Sequence, residues 1–207
     1  MLELKLFSPG MVYANCYIVK DEESGDAFVV DPGAYNKRLE AVLSEMNIEN
    51  IRYILLTHGH FDHIEGVKKL KENYGGEIVI HSEDADCLYD KKKSLAAKFF
   101  FIQNNVTADK LVCDGDRLPF GSGEIEVVHT PGHTVGSVCY LISDMMFSGD
   151  TLFRNTVGRT DFPGGSFEQI KKSLQKLSLL EKDYKVYPGH DVSTTLSAEK
   201  KHNPYFI

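Results

Sequence analysis

The sequence predicts a layered fold that mixes strands and helices, of the α/β (α+β) class, and three observations lead there. Apolar runs of strand length are interspersed with segments whose apolar residues recur at helical spacing. The links between them are of hairpin size, with no Pro/Gly/Ser-rich linker and no break in composition, so residues 1–207 are read as a single domain. Several strand runs end in a small residue followed by a histidine or an aspartate, as expected where neighbouring strands deliver side chains to a common rim.

Taken in order, Leu2-Glu3-Leu4-Lys5-Leu6-Phe7 alternates like a strand and lacks the layout of a signal peptide. Residues 11–19 and 27–31 come next as strands around a polar turn. Residues 35–47 read as a helix with Leu39, Val42, Leu43 and Met46 on one face, and 51–56 as a short buried strand. Asp62 stands where a helix N-cap belongs, and Ile64, Val67 and Leu70 supply the apolar stripe of the helix that Gly75-Gly76 stops. Strand 77–81 leads into a helical segment from Ser82. The apolar stretch 96–102 is assigned to core packing ahead of channel lining or a subunit contact, and Lys91-Lys92-Lys93 to a solvated loop. Strands at 124–128, 137–142 and 145–147, a helix at 167–180, a strand at 184–187 and a final helical turn or two at 197–202 complete the chain.

A formal net charge of −7 argues against a phosphate-tracking surface and hence against nucleic acid as a partner. No stretch has the length of a transmembrane helix, so no membrane partner is expected. Cys16, Cys87, Cys113 and Cys139 are scattered and form no C-x-x-C, which fits free thiols in a cytoplasmic protein. The pattern specifies no oligomeric state.

The most informative window is His58-Gly59-His60-Phe61-Asp62-His63. Three imidazoles and a carboxylate within six residues would each need a partner if buried, and the imidazoles would repel one another if protonated. Metal ions remove both difficulties, because neutral imidazole nitrogens and carboxylate oxygens are ligands that zinc and non-haem iron prefer. His58 and His60 share a face of an extended segment and can chelate one ion with His133. Asp62 and His63 can face a second ion with His190, and Asp150 is the candidate bridge. Two cations at such spacing, about 3.5–4 Å, hold a hydroxide between them at neutral pH. Further strand ends carry the remaining pieces: Thr130-Pro131-Gly132-His133, Ser148-Gly149-Asp150, Pro188-Gly189-His190, and Asp31-Pro32-Gly33, where Asp31 either forms a turn or accepts a hydrogen bond from a ligand imidazole. No cysteine lies nearby, which favours an open catalytic site over a closed structural one. His81, His129 and His202 are left as structural or surface residues, His129 being nearest the site.

These motifs resemble those of the metallo-β-lactamase superfamily from Asp31 to His190. The resemblance implies a four-layer αββα sandwich with a dinuclear site at one edge: His58, His60 and His133 on one metal, Asp62, His63 and His190 on the other, Asp150 bridging. Zinc is the first expectation for the two divalent ions, with iron and manganese as alternatives. The lactamases of this fold typically carry a cysteine where Asp150 stands, which disfavours antibiotic hydrolysis. The nucleases and flavin-linked reductases carry further domains for which this chain has no room. Gly149-Asp150-Thr151-Leu152-Phe153-Arg154 with Gly158-Arg159-Thr160-Asp161-Phe162-Pro163-Gly164-Gly165 resembles the short glyoxalase II-like hydrolases, and also the persulfide dioxygenases, which hold one iron through residues matching His58, His133 and Asp150. Only 17 residues come after His190, so the helical glutathione-binding part of long glyoxalase II proteins has no counterpart.

The resulting expectation is a metal-dependent hydrolase that cleaves a small-molecule thioester of the S-lactoylglutathione kind by a metal-bridging hydroxide. Asp62 and Asp150 orient that hydroxide, and Arg159 and Arg154 are candidates to meet a substrate carboxylate. The rivals are the iron persulfide dioxygenase and a non-catalytic metal-binding module.

Overall fold

The structure is a computed structural model that describes residues 1–9, 13–101, 103 and 105–206. Its first half contains β1 (Leu2–Phe7), β2 (Cys16–Asp21), β3 (Ala27–Val30), α1 (Lys37–Glu45), β4 (Tyr53–Leu55), α2 (Phe61–Ile64), α3 (Val67–Tyr74), β5 (Glu77–His81), a 3-10 helix (Ser82–Leu88) and β6 (Lys110–Val112). The second half contains β7 (Arg117–Phe120), β8 (Gly123–His129), β9 (Val138–Ile142), β10 (Met145–Gly149), β11 (Leu152–Phe153), β12 (Thr156–Val157), α4 (Phe167–Ser178), β13 (Lys185–Pro188), β14 (Thr194–Thr195) and α5 (Leu196–His202). One six-stranded sheet runs β1-β2-β3-β4-β5-β6 and the other β14-β13-β10-β9-β8-β7.

The layering arises from the two-residue period of a strand, which sends alternate side chains to opposite faces. In β2 and β3, Tyr17, Val19, Phe28 and Val30 face inward to a core shared with Ile125, Val127, Tyr140 and Phe147 of the second sheet. Their neighbours Ile18 and Val29 face outward and pack beneath Leu39 and Leu43 of α1 and Val67 and Leu70 of α3. The second sheet repeats the device: Val128, Cys139, Leu141 and Met146 turn outward onto Leu174 and Leu177 of α4 and Leu196 of α5. The result is helices, sheet, sheet, helices, the predicted αββα sandwich.

Strands β3, β4 and β5 are mutually parallel, as are β10 and β13, while β8, β9 and β10 alternate in direction. The C-terminal ends of β3, β4 and β5 therefore share one rim of their sheet, and those of β8, β10 and β13 one rim of theirs. Between β10 and β13 the register slips between Phe147 and Gly149, an irregularity that bends the end of β10 and re-aims the residue beyond it, Asp150.

Several local expectations are corrected. Asp62 is not an N-cap: His60 occupies that position in extended backbone, and Asp62 lies in the first turn of α2 with its carboxylate turned to His190. The single helix expected there is two, α2 and α3, divided near Gly66, where a Cβ would come within 2.5 Å of the Pro32 carbonyl oxygen. The segment 96–102 is only partly core. Ala96 is buried with Leu95 against Phe61, whereas Phe99 is 42% and Phe100 95% exposed; Ile102 lies outside the described residues, as do Met11 and Val12 of the predicted 11–19 strand. The edge strand β7 escapes a sequence reading because Pro119 lies within it, and proline inside a strand is confined to edges. Lys91–Lys93 are exposed, and all four cysteines are free. Among the described residues no helix is long and apolar enough to cross a membrane.

Candidate metal centre

Each residue of the site hangs from a strand end. His58 and His60 come after β4, Asp62 and His63 sit on α2, and Asp31 comes after β3. Across the sandwich, His133 lies beyond β8, Asp150 beyond β10 and His190 beyond β13. Close approach requires glycine at the joints. At Gly189 a Cβ would lie 2.4 Å from Asp150 Oδ1 and 2.7 Å from His63 Cε1. Gly149 has φ +48°, and a Cβ there would lie 2.2 Å from Thr57 Oγ1.

In the first cluster, His58 Nε2 is 3.1 Å from His60 Nδ1, which is 2.9 Å from His133 Nε2. His133 Nδ1 donates to the Arg159 carbonyl at 2.8 Å, so Nε2 carries the lone pair. Burial is the main cause that holds the His58 imidazole well below its usual range and lowers His60 to about 3, with the neighbouring imidazoles adding to it. Neutral imidazoles are the ligand-ready form. Lone pairs converging at about 3 Å repel unless a cation lies among them, and ~2 Å bonds to a common ion place ligand nitrogens at about this spacing.

The second cluster joins Asp62, His63 and His190. His190 Nε2 is 3.2 Å from Asp62 Oδ2, and His63 Nε2 is 3.8 Å from the same oxygen. Asp31 is no simple turn residue: its Oδ2 accepts from His63 Nδ1 at 2.9 Å and from Thr57 Oγ1 at 2.6 Å, while Oδ1 accepts from the Thr57 amide at 2.8 Å. The bond to His63 fixes its tautomer and leaves Nε2 facing the site. Asp150 stands between the clusters, with Oδ1 3.5 Å from His63 Nε2 and Oδ2 3.5 Å from His133 Nε2 and 3.7 Å from His190 Nε2. Burial would raise the Asp150 carboxyl, but His63, His133 and His190 outweigh it and hold it well below the carboxylate range.

The donor set fits metal. Three groups place their ligand atoms within 4.8 Å of one another: His58, His60 and His133; His58, His63 and Asp150; and Asp62, His63 and His190. His63 Nε2 and Asp150 Oδ1 are buried without a hydrogen-bond partner, an arrangement that costs free energy unless something else binds there. Burial works against charge on His63, yet Asp31, Asp62 and Asp150 raise its imidazole well above the usual range: that corner of the site demands positive charge. Each of the first and last groups takes two residues from the first sheet's loops and one from the second's.

The two candidate substrate arginines part company. Arg159 lines the cavity beside the metal cluster and pairs with Asp161 through Nε and Nη2, each at 2.7 Å. Arg154 is exposed in the turn between β11 and β12 and lies outside that cavity. His129 stacks on His81 at 4.0 Å, and neither belongs to a metal-competent group.

Two features escape a sequence reading. Asp84, buried in the 3-10 helix, ties the two histidine loops together: Oδ2 accepts from the Gly59 amide at 3.0 Å and from Thr134 Oγ1 at 2.7 Å, and Oδ1 from the Gly136 amide at 2.8 Å. In sequence it is one of several acids in Ser82-Glu83-Asp84-Ala85-Asp86, with nothing to single it out. The second feature is the aromatic wall of the cavity, which takes Phe99 and Phe101 from the 96–102 stretch that the sequence assigns to core packing ahead of channel lining.

A family model described as the metallo-beta-lactamase superfamily matches residues 9–190. The chain belongs to that superfamily. Among its relatives in it are an uncharacterized protein of Mycobacterium leprae, 39% identical with 96% of each chain covered, and the hydroxyacylglutathione hydrolase GloC of Haemophilus influenzae, 34% identical with 92% of each covered. Similar solved structures of the superfamily include BLEG-1, described as a B3 metallo-beta-lactamase (TM-score 0.90, 31% identity, 99% of each chain), and TTHA1623 in a di-iron-bound form (0.83, 33%, 97% of this chain and 99% of that one). ETHE1 from Myxococcus xanthus is a third (0.78, 28%, 98% and 83%).

Proposed function

We propose that this superfamily member is a metal-dependent thioesterase of the glyoxalase II type, acting on a thioester of a small thiol such as an S-lactoyl thiol. The observation that carries the reading is the pair of adjoining ligand groups with Asp150 between them, opening onto a cavity large enough for a small ligand, about 480 Å³. His58, His60 and His133 would hold one divalent ion, Asp62, His63 and His190 the other, and Asp150 would face both. Bound there, the ions supply an acidified water and a Lewis acid for the carbonyl oxygen. We take zinc as the first choice; the di-iron form of TTHA1623 keeps iron in view.

The remaining roles belong to the chain. Asp62 Oδ2 and Asp150 Oδ2 flank His190 Nε2 at 3.2 and 3.7 Å, so two carboxylates border the place where water meets the acyl carbon. They orient that water, whose proton passes to solvent. The water oxygen bonds to the acyl carbon and the C–S bond breaks, its electron pair leaving on sulfur. A thiolate is a good leaving group, so the site needs no strong general acid beside it. Four free cysteines suit a reducing compartment, and we place the protein in the cytoplasm.

A second reading, persulfide oxygenation, is favoured by one observation: His133 Nε2 lies 3.5 Å from Asp150 Oδ2 and the His133 ring 4.7 Å from that of His58, two histidines and a carboxylate of the kind non-haem iron takes. The test is metal analysis of the purified protein with thioester, β-lactam and persulfide substrates under an oxygen electrode. Thioester hydrolysis that needs metal, uses no oxygen and is lost in His58→Ala is the expected result. Oxygen uptake with sulfite formation would replace the reading with the dioxygenase, and preferential β-lactam turnover would replace it with a lactamase.

A further inference from the structure

The cavity that opens on the metal centre is built to take something apolar. His60, Asp62, His133, Asp150 and His190 are its polar residues on the metal side. The rest is dominated by Phe61, Phe99, Phe101, Phe153 and Phe162, with Leu95 between. Four of the rings, all but Phe153, form a connected wall. Phe61 stacks on Phe101 at 4.5 Å and lies 5.4 Å from Phe99, which is 6.2 Å from Phe162. Leaving Phe99 42% exposed forgoes the burial a large apolar side chain ordinarily gains on folding. The loss makes sense where a ligand covers the ring.

Away from the metal side, the cations near the wall gather over Phe162, with Lys98 also reaching the Phe99 ring at 5.8 Å. The Arg159 guanidinium lies 4.0 Å and the Lys98 ammonium 4.3 Å from the Phe162 ring centroid. Arg159 is neutralised by Asp161, while Lys98 has no carboxylate within ion-pair distance among the described residues. A thioester with an anionic carrier would therefore leave its charged part beside Lys98 and send its uncharged acyl part along the rings.

We propose that the phenylalanine wall is an acyl pocket, and that the enzyme prefers thioesters with an apolar acyl chain or aryl group over small hydroxylated ones such as lactoyl. This rests on the thioesterase reading and replaces its lactoyl example with an apolar acyl group. A 2-hydroxyl set against ring carbons has no partner there, and an unpartnered polar group is costly to bury. Each methylene covered by the wall is worth about a fourfold gain.

The test uses the metal-loaded full chain and N-acetylcysteamine thioesters, a neutral carrier that removes any contribution from Lys98. The acyl groups are acetyl, butyryl, hexanoyl, phenylacetyl and lactoyl. The expected result is kcat/KM rising roughly fourfold per methylene, with hexanoyl ahead of lactoyl by more than about tenfold. In Phe101→Ala and Phe99→Ala the hexanoyl-to-lactoyl ratio collapses toward unity while metal content stays that of the parent. Calorimetric binding of hexanoate and lactate is measured beside it. A flat chain-length series, or lactoyl preferred, overturns the acyl pocket and leaves the thioesterase standing. No thioester turnover, with hexanoate still bound more tightly than lactate, overturns the thioesterase and keeps the apolar pocket. Neither turnover nor selective binding overturns both.

Discussion

Replacing Asp84 tests whether the placement of the first histidine cluster depends on one buried carboxylate. Its three hydrogen bonds reach Gly59, between His58 and His60, and Thr134 and Gly136, just beyond His133. In Asp84→Ala the Gly59 and Gly136 amides lose their acceptor, whereas the Thr134 hydroxyl can still turn to Ser137 Oγ at 2.7 Å. Two bonds to a charged acceptor are worth ~3–6 kcal/mol together, a large part of the ~5–15 kcal/mol that holds a typical domain folded. Asp84→Asn is the gentler probe, since its amide nitrogen forfeits at least one of the bonds, ~1.5–3 kcal/mol. For a chain of this size that lowers the Tm of the metal-free protein by roughly 3–12 °C. The loosened loops should also weaken metal binding by about 10–100-fold, the range typical of lost support behind a ligand. Calorimetry of the metal-free protein and competition with a chelator read the two effects separately. A lower Tm with unchanged metal affinity would refute the idea that Asp84 places the ligands and reduce it to a tie between loops. No change in either would refute the hydrogen-bond reasoning outright.

The same geometry makes other outcomes testable. Gly189→Ala drives a methyl against Asp150 Oδ1 and the His63 ring, so metal content should fall sharply on elemental analysis, with activity restored only by excess metal. Burial pushes the Cys87 thiol up to about 12 and Cys139 to about 11, and Cys16 well above its usual value, while Cys113 is exposed; a thiol reagent should count one fast group in the native protein, none in Cys113→Ser and four in denaturant. Partial burial opposes it, but Lys176 and the His129 amide lower the Asp114 carboxyl. A depressed folded-state value stabilises above the unfolded value, ~4, and that stability is lost as pH falls through the folded value. Asp114→Asn should therefore reduce Tm at pH 7 and make progressively less difference as the pH falls below about 4.

How much was legible in the sequence depended on the kind of signal. His58 to His63 is a local pattern whose meaning survives without coordinates, because no packing role explains so many imidazoles side by side. The unbroken apolar runs Tyr17-Ile18-Val19 and Val127-Val128 likewise announce strands buried on both faces. Other features depend on what the chain meets in three dimensions. Asp62 looks like a cap because caps are aspartates ahead of apolar stripes, but His190, far along the chain, recruits its carboxylate. Gly66 looks ordinary until the Pro32 carbonyl is seen pressing on it. Asp84 is indistinguishable from surface acids until two loops converge on it. The 96–102 stretch reads as core because phenylalanines usually are; here a cavity takes the place of the protein that would have covered them.

The division of each ligand group between the two sheets has a consequence for how the protein holds together. None of the cysteines is paired, so no covalent cross-link restrains the chain. An ion gripping both His60 and His133 closes a loop of 73 residues, and for a loop of that length the chain-entropy model of a disulfide gives a restraint of ~4 kcal/mol. A bound ion would in this sense be a reversible staple, undone by a chelator rather than a reductant. Stripping the metal should open the sandwich first along the rim where the chemistry takes place, with hydrogen exchange rising at the ends of β4, β8 and β13 before the core between the sheets responds.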